Sequence, residues 1–464
     1  MLHLKKRNIS ALLPITILFA GLSLQSARVM AAEDPIKTYQ SPGLSSQTGA
    51  NKTDQSSGDI NNDLTLDQAI ALTLGRNQEL AALALRVQAG RAATTQAGLL
   101  PNPEFDVEVE NFGGSNDTSG FNGAETTVAL SQPIELGGKR GKRRETAMLV
   151  ADVTAWEYLE KKADLVTDVK IAFGEVLADQ QRLTLAGEQL GLSEQVLTAV
   201  QARVEAGKVS RLEETRARTA LSTSRIALGS AQRALVGSRS KLAAFWGERT
   251  PLFKTAHGGL DGLDTALPDI QALTDLALKH PRIAKSSTEV AQQEAALRLA
   301  SSRRFPDITV SAGVRRFEET GDNAMVAGIS VPLGLFDRNQ GAIGQSRHEL
   351  AAAKATLEAT RTEILARLNQ AYQELLAARA EAQALSEDAL PGAREAFAAA
   401  REGYTQGKFG YLELLDARQT LSELTRAHID ALAAYQAAVA EVARWAGLNT
   451  PKSDIESMFE SKNR

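Results

Sequence analysis

The chain is written twice. Pro103 in Asn-Pro-Glu-Phe-Asp-Val answers Pro306 in Phe-Pro-Asp-Ile-Thr-Val, and Pro133 in Ser-Gln-Pro-Ile answers Pro332 in Ser-Val-Pro-Leu. Gly207-Lys208 returns as Gly407-Lys408. Around it, Leu212, Glu213, Ala217, Arg218 and Leu221 return as Leu412, Glu413, Ala417, Arg418 and Leu421, and Trp246 returns as Trp445. The offset stays near roughly 200 residues, far longer than the roughly 20 to 50 residues of a solenoid repeat. Ordered matches at a near-constant offset indicate duplication of one unit. Any fold must therefore accommodate the same element order in both halves.

Each copy opens with a helix, Leu66 to Leu100 and then Ile270 to Arg304. Asn102-Pro103 and Phe305-Pro306 end them, because the residue before proline disfavours the helical region. Two alternating segments follow in each copy: 105–112 and 126–132, then 308–317 and 325–331. Phe105, Val107 and Val109 interleave with Asp106, Glu108 and Glu110, and a period of two argues for strand. A proline-free stretch from Gly138 to Ala206 then carries apolar residues at helical spacing; at 1.5 Å per residue it would reach about 100 Å. Gly207 marks a turn, and a helix returns from Leu212 to Trp246. The second copy repeats this with Gln340 to Gln406, a turn at Gly407, and Leu412 to Trp445. The organisation expected is a first repeat over 64–249, a linker over 250–269, a second repeat over 270–449 and a polar tail over 450–464.

Composition supports close-packed helices. Aromatic residues make up 5% of the 464 and cysteine is absent, so bulky cores, disulfides, thiolate metal sites and cysteine nucleophiles are all excluded. The net charge of −4 gives no basic face for nucleic acid. At the amino terminus Lys5, Lys6 and Arg7 precede an apolar run from Ile9 to Leu24 and a small-residue site at Val29-Met30-Ala31. Residues 1–31 read as a secretory signal peptide; a spanning anchor is disfavoured by Pro14 and Gly21 within a short run. The absent cysteine rules out a lipoprotein anchor. Residues 32–63 are polar and read as a disordered leader.

No other apolar run is long enough for a membrane helix. The four strand segments, however, are long enough to cross a bilayer when tilted. Four strands cannot close a barrel alone, and lipid does not tolerate open edges. Membrane-borne strands would need several chains, three of which would supply twelve strands. The alternative is a small soluble sheet packed on the helices.

Three stretches carry a family resemblance: Leu100-Pro101-Asn102-Pro103-Glu104; Glu108-Val109-Glu110-Asn111-Phe112-Gly113-Gly114; and Leu130-Ser131-Gln132-Pro133-Ile134-Glu135-Leu136-Gly137-Gly138-Lys139-Arg140. With the duplication and both turns, residues 64 to 448 resemble the TolC-type outer-membrane efflux channels, most of all their CzcC-like heavy-metal branch. The resemblance implies a mainly helical chain with membrane β-structure, forming a homotrimer with a twelve-stranded β-barrel on a long periplasmic α-barrel. It implies a passive exit duct for heavy-metal cations in the Gram-negative outer membrane, in contact with its lipid. The implied partners are a periplasmic adaptor and an inner-membrane resistance-nodulation-division transporter. Organic drugs are an alternative cargo, and a soluble periplasmic coiled-coil adaptor or scaffold is the competing reading from another class.

The turns at Gly207, Ser210 and Leu212 and at Gly407, Gly410 and Leu412 are helix-hairpin turns on pattern alone; the resemblance makes them the tips that meet the adaptor. Glu413 and Asp416 lie three apart on one helix face, and the family pattern turns such carboxylates toward the lumen, in rings of three. Tyr404 matches a gate tyrosine that hydrogen-bonds the neighbouring hairpin, and Glu213 matches its acidic partner. An arginine often found two residues after the second-tip glycine is here Phe409. Gly191 and Pro391, one offset apart, weaken or kink a helix and are the expected bends. Lys139, Arg140, Lys142, Arg143 and Arg144 open the long helix against its dipole, either to meet lipid headgroups or as a solvated cluster. The five histidines, His3, His257, His280, His348 and His428, show no ligand spacing. No nucleophile constellation, P-loop or dinucleotide motif is present. The expectation is a duct that is not an enzyme, with no cofactor and no bound metal.

Overall fold

The computed structural model describes residues 63–260, 262–263, 267–450 and 453–455. The signal peptide, nearly all of the leader and most of the polar tail lie outside them. In chain order the elements are β1 (Asp63–Thr65), α1 (Leu66–Arg76), α2 (Gln78–Ala97), β2 (Glu104–Glu110), β3 (Glu125–Ile134), α3 (Lys139–Glu205), α4 (Arg211–Ala244), β4 (Thr255–His257), α5 (Ile270–Ala277), α6 (Pro281–Ser302), β5 (Ile308–Phe317), β6 (Asn323–Ser330), α7 (Gln340–Ala384), α8 (Leu390–Thr405) and α9 (Tyr411–Trp445). A π turn, Leu385–Ala389, joins α7 to α8.

The first helix of each copy is two helices rather than one. Asn77 stops α1 and caps α2: its Oδ1 accepts from the Leu80 amide at 2.9 Å, while its Nδ2 donates to the Phe245 carbonyl at 2.8 Å. His280 does the same one repeat later. Its Nδ1 accepts from the Arg282 amide and its Nε2 faces the Arg444 carbonyl, each at 3.1 Å, with Pro281 opening α6. In both copies one side chain satisfies an orphan amide at a helix start and a carbonyl at the end of the returning helix. Apolar periodicity runs straight through these breaks, which is why they do not show in the hydrophobic pattern.

The linker expected over 250–269 belongs to the core. β4 pairs in parallel with β1, Leu64 opposite Ala256. Phe253 and Leu260 are fully buried with Leu64, Leu242 and Trp246 against the middle of α3. Full burial of each large side chain is worth about 1.5–3 kcal/mol, which outweighs the polar composition of the segment. Part of the tail is also tied down, because Lys162 meets Asp454 at 2.6 Å. A second core packs α5, α6, α7 and α9 around Leu273, Ile364, Leu368, Leu375 and Tyr435. Alanine lets the helices approach closely: a Cβ added at Gly90 of α2 would sit 3.0 Å from that of Ala151 on α3.

β2, β3, β5 and β6 form one antiparallel sheet in that order. Strand neighbours opposite one another share a face, and the register puts an apolar band on one face, bounded by the row Val109, Thr126, Arg316 and Asn323. Phe105, Leu130, Ala312 and Ala327 form one row, and Val107, Val128, Val314 and Met325 the next. The other face carries Glu104, Asp106 and Glu108 opposite Ser131, Ala129 and Thr127, then Ser311, Gly313 and Arg315. Phe105 is 70% exposed and Met325 88%, and among the described residues no helix packs on the sheet. That removes the reading of a soluble sheet packed on the helices. The outer edges of β2 and β6 find no partner among the described residues.

The basic start of α3 has a structural cause that the sequence hid. Arg143 donates to the Ala97 and Leu99 carbonyls at 3.0 and 3.2 Å and pairs with Glu135, while Arg140 Nε donates to the Gly98 carbonyl. These guanidiniums oppose the dipole of α3 but complement the negative end of α2. Lys139 is buried on Asp307 at 2.7 Å, and Lys142 donates to the Gly137 carbonyl at 2.8 Å.

Burial holds the His280 imidazole down at about 4, and its two bonds need the neutral ring with the proton on Nε2. A lowered folded-state value means the unfolded chain takes up the proton first. This stability is therefore complete above about 6.5 and is lost as the pH falls toward 4, by on the order of 3 kcal/mol. Denaturant midpoints of the purified protein should fall across that window, and His280→Asn, which keeps a capping oxygen, should flatten the fall.

Candidate functional site

The two hairpin tips lie at the far end of the helices from the sheet. Each is closed by a Schellman turn. At the first, the Gly207 amide bonds the Val204 carbonyl at 2.9 Å and the Lys208 amide bonds the Arg203 carbonyl at 2.9 Å; at the second, Gly407 bonds Tyr404 at 3.1 Å and Lys408 bonds Gly403 at 2.8 Å. Gly207 and Gly407 have φ of 67° and 74°, the left-handed region that glycine adopts without strain. Ser210 and Gly410 are the N-caps of α4 and α9, neither with a side-chain capping bond. Leu212, Leu412 and Phe409 are about half exposed, so each tip presents an apolar side chain beside its glycine turn.

Behind the tips a small core joins the two hairpins. Val200 of α3, Ala217 of α4, Tyr404 of α8, and Tyr411 and Leu414 of α9 are all buried in it. Tyr404 and Tyr411 meet edge to face at 6.3 Å. Burial pushes both phenols up; Arg203 opposes the rise at Tyr404 and Arg418 at Tyr411, while the Glu213 carboxylate adds to both. The structure thus brings Tyr404 and Glu213 to one place, but without the expected hydrogen bond. By geometry the Tyr404 hydroxyl and Glu213 Oε2 are each buried with no hydrogen-bond partner among the described residues. Arg203 makes the link between hairpins instead. Its guanidinium lies over the Tyr404 ring at 4.5 Å, and Nη1 donates to the Tyr404 carbonyl at 3.1 Å.

The same exchange accounts for Phe409. One offset from Arg203 stands Gly403, and the Phe409 ring lies where a Gly403 Cβ would be, at 2.1 Å. The second tip folds a ring onto a glycine, while the first tip supplies the cation. Periodicity could not reveal this, because Arg203 and Tyr404 meet only through the fold.

A second link missed in the sequence lies one step higher. Arg418 of α9 donates to the Gln189 carbonyl at 2.7 Å and to the hydroxyls of Ser193 and Ser224, which also bond each other at 2.7 Å. No carboxylate meets it among the described residues. Burial lowers its pKa, with Tyr411 opposing. Its counterpart Arg218 sits on the surface with Glu214 at 2.6 Å.

Glu413 and Asp416 are exposed on α9, three residues apart, outside this core. At Gly191, α3 continues uninterrupted for its 67 residues. Its counterpart Pro391 falls in the first turn of α8, just after the π turn. The helix ladder is therefore interrupted only in the second copy, and the interruption begins six residues before the proline. A π turn widens the ladder so that the proline, which donates no amide, enters at a helix start. Among the described residues no group of three metal-ligating side chains gathers, and no helix is long and apolar enough to cross a membrane.

Comparison with known proteins agrees with this architecture. The family model described as outer membrane efflux protein matches residues 69–248 and 272–448, one match per repeat. The cobalt-zinc-cadmium resistance protein CzcC of Cupriavidus metallidurans is 34% identical over 81% of this chain and 88% of its own. The nickel-cobalt-cadmium resistance protein NccC of Alcaligenes xylosoxydans xylosoxydans is 28% identical over 63% of this chain and 66% of its own. The Campylobacter jejuni CmeC outer membrane channel superposes with a TM-score of 0.71 at 15% identity, over 91% of this chain and 94% of that one, which shows a shared fold. With one match on each half of a duplicated, two-hairpin chain, the protein belongs to the outer membrane efflux protein family.

Proposed function

We propose that three copies of this chain close a twelve-stranded barrel in the outer membrane above a helical tunnel, and that the duct carries heavy-metal cations out of the cell. The observation that carries this reading is the two-sided sheet. Its apolar face suits lipid, its carboxylate face suits an aqueous lumen, and its two open edges suit neighbouring copies. Glu110 and Glu125 are paired with Arg315 at 3.1 and 2.9 Å. Glu104, Asp106 and Glu108 meet no basic group among the described residues. Repeated in three copies, they would line the exit with negative charge and favour cations. The names of the two metal-resistance relatives point the same way. The pump would comprise an inner-membrane resistance-nodulation-division transporter and a periplasmic adaptor. The adaptor would engage the tips at Gly207, Ser210 and Leu212 and at Gly407, Gly410 and Leu412, and Glu413 and Asp416 would ring the tunnel mouth.

A strain lacking the gene should lose tolerance of cobalt, zinc or cadmium while keeping its tolerance of organic drugs. Unchanged tolerance of every metal defeats the cargo reading, and a loss confined to organic compounds replaces it with the drug duct. For the barrel, Val314→Arg puts a charge in the middle of the apolar face, where lipid would make it cost about 2–4 kcal/mol. Urea unfolding in lipid vesicles should register that loss, whereas Ala324→Arg on the opposite face should cost little. Equal effects would argue that the apolar face does not meet lipid.

The Arg203–Tyr404 link is the closing contact in this reading, standing in for the arginine replaced by Phe409. A stacked guanidinium is worth about 1 kcal/mol, so Arg203→Ala should shift opening about fivefold per chain. Single-channel conductance in planar bilayers should rise, and an unaltered conductance would remove Arg203 from the gate.

A further inference from the structure

Of the five basic residues that open α3, three are used up within the chain. Lys139 is on Asp307, Lys142 on the Gly137 carbonyl, and Arg143 on Glu135 and the end of α2. Arg140 and Arg144 differ. They stand one helical turn apart, both exposed, and flank a cleft between α2 and α3 whose other walls are Thr94, Thr95, Gly98 and Gly141. Only the Nε of Arg140 is engaged, on the Gly98 carbonyl. Neither guanidinium meets a carboxylate among the described residues, because the nearby acids are taken: Glu135 by Arg143, Asp307 by Lys139, and Glu145 by Arg298 at 2.7 Å. Two glycines line the cleft, and a Cβ on Gly98 would lie 3.4 Å from Arg144 Cδ.

We propose that this cleft binds the phosphodiester of an anionic phospholipid in the inner leaflet of the outer membrane. Two exposed guanidiniums match a phosphate group, which arginine holds in forked geometry; the Thr94 and Thr95 hydroxyls beside them donate to the Gly90 and Arg91 carbonyls. The absence of a carboxylate favours a headgroup of net negative charge. Placement supplies the lipid. The cleft sits one short connector below the strands, since Gly98 leads to β2 and Ile134 of β3 leads to Arg140. Those connectors expose Leu99, Leu100 and Leu136, an apolar continuation between sheet and cleft. Basic pockets at this depth hold headgroups while the stems of their side chains lie on apolar surface. The proposal rests on the strands lying in the outer membrane and not on the identity of the cargo. A failed metal-tolerance experiment therefore leaves it standing, and its own failure leaves the duct standing.

The test is native mass spectrometry of the full-length protein in detergent, with phosphatidylglycerol, phosphatidylcholine and inorganic phosphate as separate probes. Phosphatidylglycerol adducts should outlast phosphatidylcholine adducts. Arg144→Gln, which breaks no hydrogen bond to the backbone, should weaken them, and R140Q/R144Q should reduce them by about tenfold or more. R140K/R144K should restore part of the loss. Lys254→Gln, an equal loss of charge on the segment before β4, should change nothing. Equal retention by wild type and Arg144→Gln overturns the site. Displacement of phosphatidylglycerol by inorganic phosphate overturns the lipid assignment and makes free phosphate the ligand.

Discussion

Backbone hydrogen bonding at the two outer strands governs the rest of this molecule. Among the described residues, β2 and β6 each leave a row of amides and carbonyls without partners, and no helix covers the sheet they bound. In water such edges invite pairing, and in hydrocarbon they are intolerable. A sheet with an apolar band exposed on one face is poorly suited to water, and one with open edges cannot enter lipid alone. Among the described residues, the chain's own helices do not repair either feature. The long helices inherit their placement from the sheet through the guanidinium staples that join the end of α2 to the start of α3.

Duplication explains much of the detail and, by its lapses, locates the specialised parts. Asn77 and His280 have different chemistry but the same two bonds, so each copy keeps a cap that also ties down its returning helix. Arg203 and Gly403 show the opposite. The two copies have diverged so that one tip carries the cation and the other the ring it covers. Arg218 is a surface ion pair, while Arg418 is a half-buried tie among three helices. Where the copies agree they build the scaffold, and where they differ they create contacts between the hairpins.

The element order, both turns and the alternation of the strands were legible in the sequence, because period, proline and glycine act locally. Other features depended on tertiary neighbours. The break at Asn77 is invisible to periodicity because α1 and α2 keep a common apolar trend. Residues 250–269 look like a linker until Phe253 and Leu260 find the middle of α3. The basic run at the start of α3 was ambiguous because its true partner, the end of α2, lies some forty residues away in sequence. At the candidate gate, Tyr404 and Glu213 were foreseen as neighbours, but Arg203 was not. Its role follows from a substitution at the other tip.

The two halves also differ in stiffness. α3 is one hydrogen-bonded rod of 67 residues, anchored at the sheet junction, at the middle core and at the tip. Its counterpart is divided: 45 residues of α7, a π turn, and then 16 residues of α8. A force applied at the first tip is transmitted along the whole rod to the membrane end. A force applied at the second tip meets a compliant joint after α8, so that short segment and the start of α9 swing while α7 stays in place. The chain thus pairs a stator with a vane, and motion started at the second tip has little reason to reach the sheet.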